Sequence, residues 1–408
     1  MGKGRLTALI AAFITVLMLA FPDVSFKASL AGLKLWFDIV LPALLPFFAM
    51  ADILMGLGVV HFMGALLEPL MRPAFRIPGA GAFAVAMGLA GGYPIGARIT
   101  AELHRKGLCS LVEAERLLAF ANTADPLFIV GAVAVGMFGA PEIGTALLAA
   151  HYLGAVVVGV GMRFYGVGKP ATPPQVKGGE SGFRGYLRRA VNELDRARQA
   201  DGRTFGQLFG DTIRETFAAM LFIGGCIMMF AVLSAILETA GIMDYLTVPL
   251  QRALSIVGVD PDLTMPLIQG FFETTLGSQS ASAAAAPLAQ RAAAASLVIG
   301  WSGLSVHSQV SAMILGTKIR MGPYMLARMV HGAAAAVFTL VLLGPAASVT
   351  RLLAGTVPVF APAGAEALHF TARLALSTKW AAAVGLGPLA VCALTQLLKR
   401  VVFISWRR

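Results

Sequence analysis

The chain has 408 residues, 57% of them hydrophobic and only 13% charged, with mean hydropathy +0.78. Soluble domains carry about 25% charged residues, so a water-soluble globular protein is excluded. The net charge of +11 would suit a nucleic-acid partner, but the basic residues flank apolar runs, where membrane topology accounts for them.

A helix crosses a bilayer core of about 30 Å with about 20 apolar residues. The first such run, 6–22, follows Lys3 and Arg5. Phe21-Pro22-Asp23 makes a poor cleavage site, so this run reads as a retained helix and not a signal peptide. The next crossing is 36–60. Residues 79–106 are apolar but broken by Gly91-Gly92-Tyr93-Pro94, which predicts a re-entrant hairpin of two half-helices. The segment 110–138 is a span interrupted at Asn122-Thr123-Ala124-Asp125-Pro126, and 142–162 follows as a plain crossing. Residues 168–204 hold Pro170, Pro173, Pro174, Gly178 and Gly179 among mixed charges and read as a linker, with Tyr186–Arg198 patterned as a surface helix. Then come a crossing at 216–237, a second broken hairpin at 263–290, and an interrupted span at 295–317. Crossings at 324–344 and 380–398 complete the series. Leu66–Phe75 and Tyr245–Val257 are expected as matching interfacial helices that lead into the hairpins, and Trp36, Trp380 and Trp406 as interfacial anchors.

The order of elements repeats. Ile53-Leu-Met-Gly-Leu-Gly and Pro69-Leu-Met-Arg72 in the first half are echoed by Ile236-Leu-Glu-Thr-Ala-Gly and Pro249-Leu-Gln-Arg252 in the second. Hairpin and interrupted span follow in each half. Paired breaks at corresponding places are the sequence signature of a transporter site between repeats. Lys3, Arg5, Arg72, Arg76, Arg105, Lys106 and the Arg-rich 163–214 connector set one cytoplasmic side, to which both termini return. Arg351, Arg373 and Lys379 depart from that rule. Three crossings and one hairpin per half invert the second copy, so the hairpins enter from opposite faces. The expected division is 1–34 (first helix and loop), 35–165 (first repeat), 166–204 (basic linker), 205–346 (inverted second repeat) and 347–408 (loop, last helix and basic tail). The expected fold is therefore an all-α polytopic membrane protein, with about eight transmembrane helices and two re-entrant hairpins in an inverted repeat.

The polar residues inside these breaks are the candidate substrate and coupling groups. Asp125 precedes Pro126, where a half-helix starts; it serves either as a cap alone or also in proton or substrate handling. Glu273 is the only carboxylate of the second hairpin's core, beside Thr274, Thr275 and Gln279; the alternative is pairing with Arg291 or His307. Asp125 and Glu273 are thus the expected coupling residues. Gly92, Tyr93, Asn122 and Thr123 belong to the first-half breaks, and Ser302, Ser305, His307 and Gln309 to the last one. Arg98 lies one turn past the first hairpin tip, where it either attracts a carboxylate or snorkels to the surface. Cys109, Cys226 and Cys392 are isolated, so neither a metal site nor a disulfide framework is expected, and no cofactor either. No nucleophile elbow, paired-carboxylate metal motif or His cluster suggests an enzyme.

Leu41-Pro-Ala-Leu-Leu-Pro-Phe47, Gly88-Leu-Ala-Gly-Gly-Tyr-Pro-Ile-Gly-Ala97, Ala121-Asn-Thr-Ala-Asp-Pro126 and the Gly300–Gln309 break together resemble the sporulation integral membrane proteins of the YlbJ (SpoVV) type. Those proteins carry nucleoside-recognition, or Gate, repeats, and the likeness extends more weakly to concentrative nucleoside transporters. The resemblance implies a transporter in the mother-cell-derived outer forespore membrane, moving dipicolinate, a planar dianion, toward the forespore. The partners are then a small anionic solute and the lipid bilayer, with a homo-oligomer as a further expectation. A nucleoside or other neutral-solute transporter, and a non-transporting scaffold in spore-envelope assembly, are the alternatives.

Overall fold

The computed structural model describes residues 3–173 and 183–348. The expected crossing at 380–398, Trp380, Trp406 and the basic tail lie outside them. Every regular element among the described residues is helical. Many large apolar side chains face outward, among them Phe13, Leu19, Phe26, Val156 and Leu221, as they do on a protein solvated by lipid.

Three helices are individually long and apolar enough to cross a bilayer: Pro141–Met162, Phe205–Thr239 and Met321–Leu343. The first comprises a 3₁₀ turn and α8 (Gly144–Met162), the others are α10 and α16. They correspond to the expected crossings at 142–162, 216–237 and 324–344. α10 is longer than expected: its 35 residues rise about 52 Å. Its start is fixed by a capping box between Thr204 and Gln207.

The N-terminal region differs from expectation. α1 (Lys3–Ala20) meets the following helix at 102°. Residues 23–35, expected as a loop, form α2 (Pro22–Leu35), with Pro22 at its first turn, where a missing N–H costs nothing. α2 runs through a π-helical turn (Trp36–Val40) into α3 (Leu41–Gly56). This unit lies antiparallel to α10. Gly32 touches Met228, Trp36 packs on Gly224, and Gly56 meets Leu208. Trp36 is therefore a core residue and not the expected interfacial anchor.

α4 (Val59–Phe75) and α11 (Asp244–Ile256) precede the two hairpins; α4 begins before the expected Leu66, because the run expected to cross at 36–60 bends by 74° between Gly56 and Val59. α9 (Phe183–Asp201) contains the expected linker helix and packs on α4; Gly58 lies against the Leu194 carbonyl.

Both hairpins are present. α5 (Gly81–Gly91) and α6 (Ile95–Arg105) form the first. α12 (Thr264–Phe272) and α13 (Thr274–Ala283) form the second. The interrupted spans are equally clear. α7 (Leu111–Ala121) is followed, after a break, by a π-helical segment Leu127–Met137. α14 (Leu288–Trp301) is followed by α15 (Gly303–Met313). The order hairpin, broken span, long helix thus occurs in both halves, with α8 and α16 as the long helices, packed against each other.

At one end of the molecule polar contacts tie the halves together. Arg320 makes a bidentate contact with Glu115 at 2.7 and 3.1 Å, and the Tyr165 hydroxyl donates to the same carboxylate. Arg105 donates to the Met313 and Leu315 carbonyls at the end of α15, each at 3.0 Å.

Candidate functional site

The site begins with the places where helix cannot continue. Pro126 has no N–H and disfavours helix at Asp125, so the backbone opens between Asn122 and Pro126. The Asp125 carboxylate accepts the Phe128 N–H at 2.9 Å and caps the π-helical segment. In the second half Glu273 is extended (φ −143°, ψ 125°), and its carboxylate accepts the Leu276 N–H at 2.8 Å, capping α13. Ser302 and Gly303 both adopt left-handed φ, +71° and +72°, and separate α14 from α15.

Each hairpin tip rests on the break of its own half. Gly92 has φ +76°, and a β-carbon there would lie 2.6 Å from Asp125 Oδ2. A β-carbon on Gly303 would lie 3.1 Å from the Glu273 α-carbon. Thr123 donates to the Gly88 carbonyl at 3.1 Å, and Thr274 to the Val298 carbonyl at 3.4 Å.

Where these contacts converge there is a cavity of about 520 Å³, within the range of small-molecule sites. Its wall includes Tyr93, Asp125, Glu273, Thr274, Thr275 and Gln309, together with Asp38 from the π-helical turn. Phe128, Ile223, Ile227 and Val306 give it apolar surface. The Tyr93 hydroxyl is buried beside Thr274 without a well-formed hydrogen bond to it. Gln279 lies on a second, smaller recess that shares Asp38, Ile227, Glu273 and Thr275 with the cavity and is also lined by Lys34.

Next to the cavity, on the far side of Tyr93, is a buried polar knot. It contains Asn122, Ser302 and His307 among the expected residues, and Tyr324, Arg328, His331 and His151, which the sequence reading passed over. Tyr324, Arg328 and His331 stand at i, i+4 and i+7 on one face of α16, each at most 1% exposed. Arg328 donates to the carbonyls of Asn122 (3.0 Å) and Ile299 (3.2 Å) and to His331 Nδ1 (2.7 Å). His331 Nε2 in turn donates to the His151 carbonyl at 2.7 Å, and the Ala124 N–H donates to His151 Nε2 at 3.0 Å. Asn122 donates to the Tyr324 hydroxyl, and His307 Nε2 to the Trp301 carbonyl. These partners fix the tautomers: His331 and His307 carry their proton on Nε2, and His151 on Nδ1. Ser305 is buried with an unpartnered hydroxyl.

Two expected partners of Glu273 lie elsewhere. Arg291 donates to the Ser282 carbonyl and stacks over Phe138, and His307 belongs to the knot. Arg98 is likewise outside the cavity. It pairs with Asp52 at 2.6 Å, lies 3.6 Å from Glu215 and covers the Phe48 ring. Its partner comes from α3, too remote in sequence for spacing to indicate. Asp38 and Arg328 were both detectable in principle, because each is an ionisable residue within an apolar stretch.

Residues 37–141 match the Gate family, described as nucleoside recognition. Among solved structures, CNTnw in an inward-facing substrate-bound state aligns over 84% of this chain and 86% of its own, at 13% identity and a TM-score of 0.41; no residue correspondence follows at that distance. The chain is 41% identical over 341 residues to the sporulation integral membrane protein YlbJ of Bacillus subtilis (strain 168), covering 82% of this chain and 81% of that protein. The chain belongs to the YlbJ family of sporulation integral membrane proteins.

Proposed function

We propose that the protein is a secondary transporter whose solute occupies the cavity between the two hairpin tips. One observation carries this reading: the cavity wall is assembled from both halves, and each half contributes a carboxylate that caps a half-helix, Asp125 and Glu273. A scaffold has no need of polar breaks at membrane depth in both halves.

The substrate that the family resemblance suggests is dipicolinate, carried across the outer forespore membrane. Tyr93 and Phe128 offer aromatic faces for a flat ring, and the hydroxyls of Thr274 and Thr275 with the Gln309 amide offer hydrogen-bond donors. Among the described residues, the wall has no Lys, Arg or His side chain but three carboxylates, Asp38, Asp125 and Glu273. An anion entering such a cavity needs its charge compensated, and protons carried on these carboxylates are the simplest means. We therefore read the transport as proton-coupled. The same acidic, hydroxyl-bearing wall favours a second reading, a neutral solute rich in hydroxyls such as a nucleoside.

Flux into proteoliposomes separates the two. Saturable dipicolinate uptake that rises with an imposed pH gradient supports the first reading. Uridine uptake that dipicolinate does not inhibit supports the second. With neither solute transported, the transporter reading falls.

A further inference from the structure

The last carbonyls of a helix have no intrahelical donor and sit at the negative end of its dipole. At the broken helices of a transporter, such carbonyls are ligands for coupling cations. Here two of them, one from each half, point at a single spot. The Asn122 carbonyl ends α7, and the Ile299 carbonyl lies in the last turn of α14. The spot is occupied by the Arg328 guanidinium, which donates to both and is 0% exposed.

The electrostatics are those of an alkali-ion site and not of an ion pair. None of the ion pairs among the described residues involves Arg328. Its remaining terminal contact is the lone pair of a neutral histidine, His331 Nδ1, at 2.7 Å. A fully buried charge with no acid beside it costs several kcal/mol unless dipoles replace the lost hydration. Here the two helix ends and His331 take the two terminal nitrogens, and Nε is buried without a partner.

We infer that Arg328 is a tethered cation, standing between the two broken spans where a transporter of this plan would hold a free coupling ion, and that the protein consequently has no alkali-cation requirement. The second half of this statement rests on the transporter reading; the first does not. The site is built for positive charge whether or not solute moves.

The test has two arms. In detergent, purified Arg328→Ala melts below the wild type, and millimolar methylguanidinium, or an alkali cation, restores at least half of the lost melting temperature; equimolar urea does not. If no cation raises the melting temperature, the tethered-cation role is wrong. Should Arg328→Ala fail to fold, Arg328→Lys and Arg328→Gln decide: the lysine variant must exceed the glutamine variant in yield and melting temperature, and the reverse order overturns the proposal. In proteoliposomes, wild-type flux is unchanged when sodium and potassium are replaced by choline. Flux that falls tenfold or more in choline overturns the absence of an alkali requirement. Absence of any wild-type flux would sink the transporter reading, while the melting arm still reports on the tether.

Discussion

The two hairpins share a plan and place their charge differently. In the first half the tip is uncharged, Gly92-Tyr93-Pro94, and the carboxylate is on the break below it, Asp125. In the second half the tip itself bears the carboxylate, Glu273, and the break below it is uncharged, Ser302-Gly303. In both, a glycine with positive φ faces the carboxylate-bearing residue, Gly92 against Asp125 and Gly303 against Glu273. Each contact between tip and break thus carries one carboxylate, on the break in the first half and on the tip in the second. A half-helix N-terminus needs one anionic cap, and a second acid at the same contact would add like-charge repulsion in a dry site.

The comparison can be broken at several points. The largest expected effect is steric. A β-carbon on Gly88 would lie 1.8 Å from the Ala121 carbonyl oxygen, and one on Gly277 would lie 2.2 Å from the Gly270 α-carbon. Both obstacles are backbone, so Gly88→Ala and Gly277→Ala should each lower stability by about 3 kcal/mol, read as melting temperature in detergent. Equal losses mean the hairpins are packed alike. A tolerated alanine on one side would show that side to be looser than drawn.

The carboxylates come next. Asp125→Asn keeps a good cap, since Asn and Asp are equivalent there, and Glu273→Gln keeps the shape. Both variants should insert normally and lose flux by about tenfold or more, equivalent to about 1.4 kcal/mol. If one is silent, the halves are not functionally equivalent and coupling belongs to the other.

Arg98 and Arg291 offer a smaller contrast. Arg98→Gln leaves the partly buried Asp52 without its 2.6 Å partner and should cost about 1 kcal/mol. Arg291→Gln loses a carbonyl contact and the Phe138 face and should cost about 0.5 kcal/mol. Neither should change the KM for solute, because neither lines the cavity. A raised KM in Arg98→Gln would return that residue to the substrate site.

The smallest effect is in the connector between the halves. Hydrogen bonds from Arg203 hold the Asp201 carboxyl below its ordinary range against the opposing effect of burial. A depressed folded-state value contributes stability above the unfolded carboxylate range and loses it as pH falls through the folded value. Asp201→Asn should therefore cost about 0.5 kcal/mol at neutral pH and progressively less in acid, followed as the melting difference across a pH series. A difference that grows on acidification would contradict the sign.

Much of this plan was legible in the sequence because breaks announce themselves. Proline, paired glycines and an isolated acid in an apolar run mark where helix stops, and all four interruptions are present. What hydropathy hid were residues whose meaning depends on direction. Asp38 lies near the start of an apolar run, and it reaches the cavity only through the helical path from Pro22 and the π-helical turn, which hydropathy does not show. The Tyr324–Arg328–His331 stripe was averaged away over an otherwise apolar span. Arg98 needed its pairing with Asp52, which no local spacing announces.

The Arg328 contacts also bear on how the chain is made. An arginine within a helix entering a membrane costs up to about 2.5–3.5 kcal/mol on insertion scales, the upper limit applying at the centre, and α16, with Arg328 in its N-terminal half, must meet part of that cost when it leaves the translocon. Its off-helix partners, the carbonyls of Asn122 and Ile299, both belong to segments synthesised earlier. The order of synthesis thus supplies the acceptors before the charge arrives, so α16 can enter the bilayer against a prepared surface of helices and not alone.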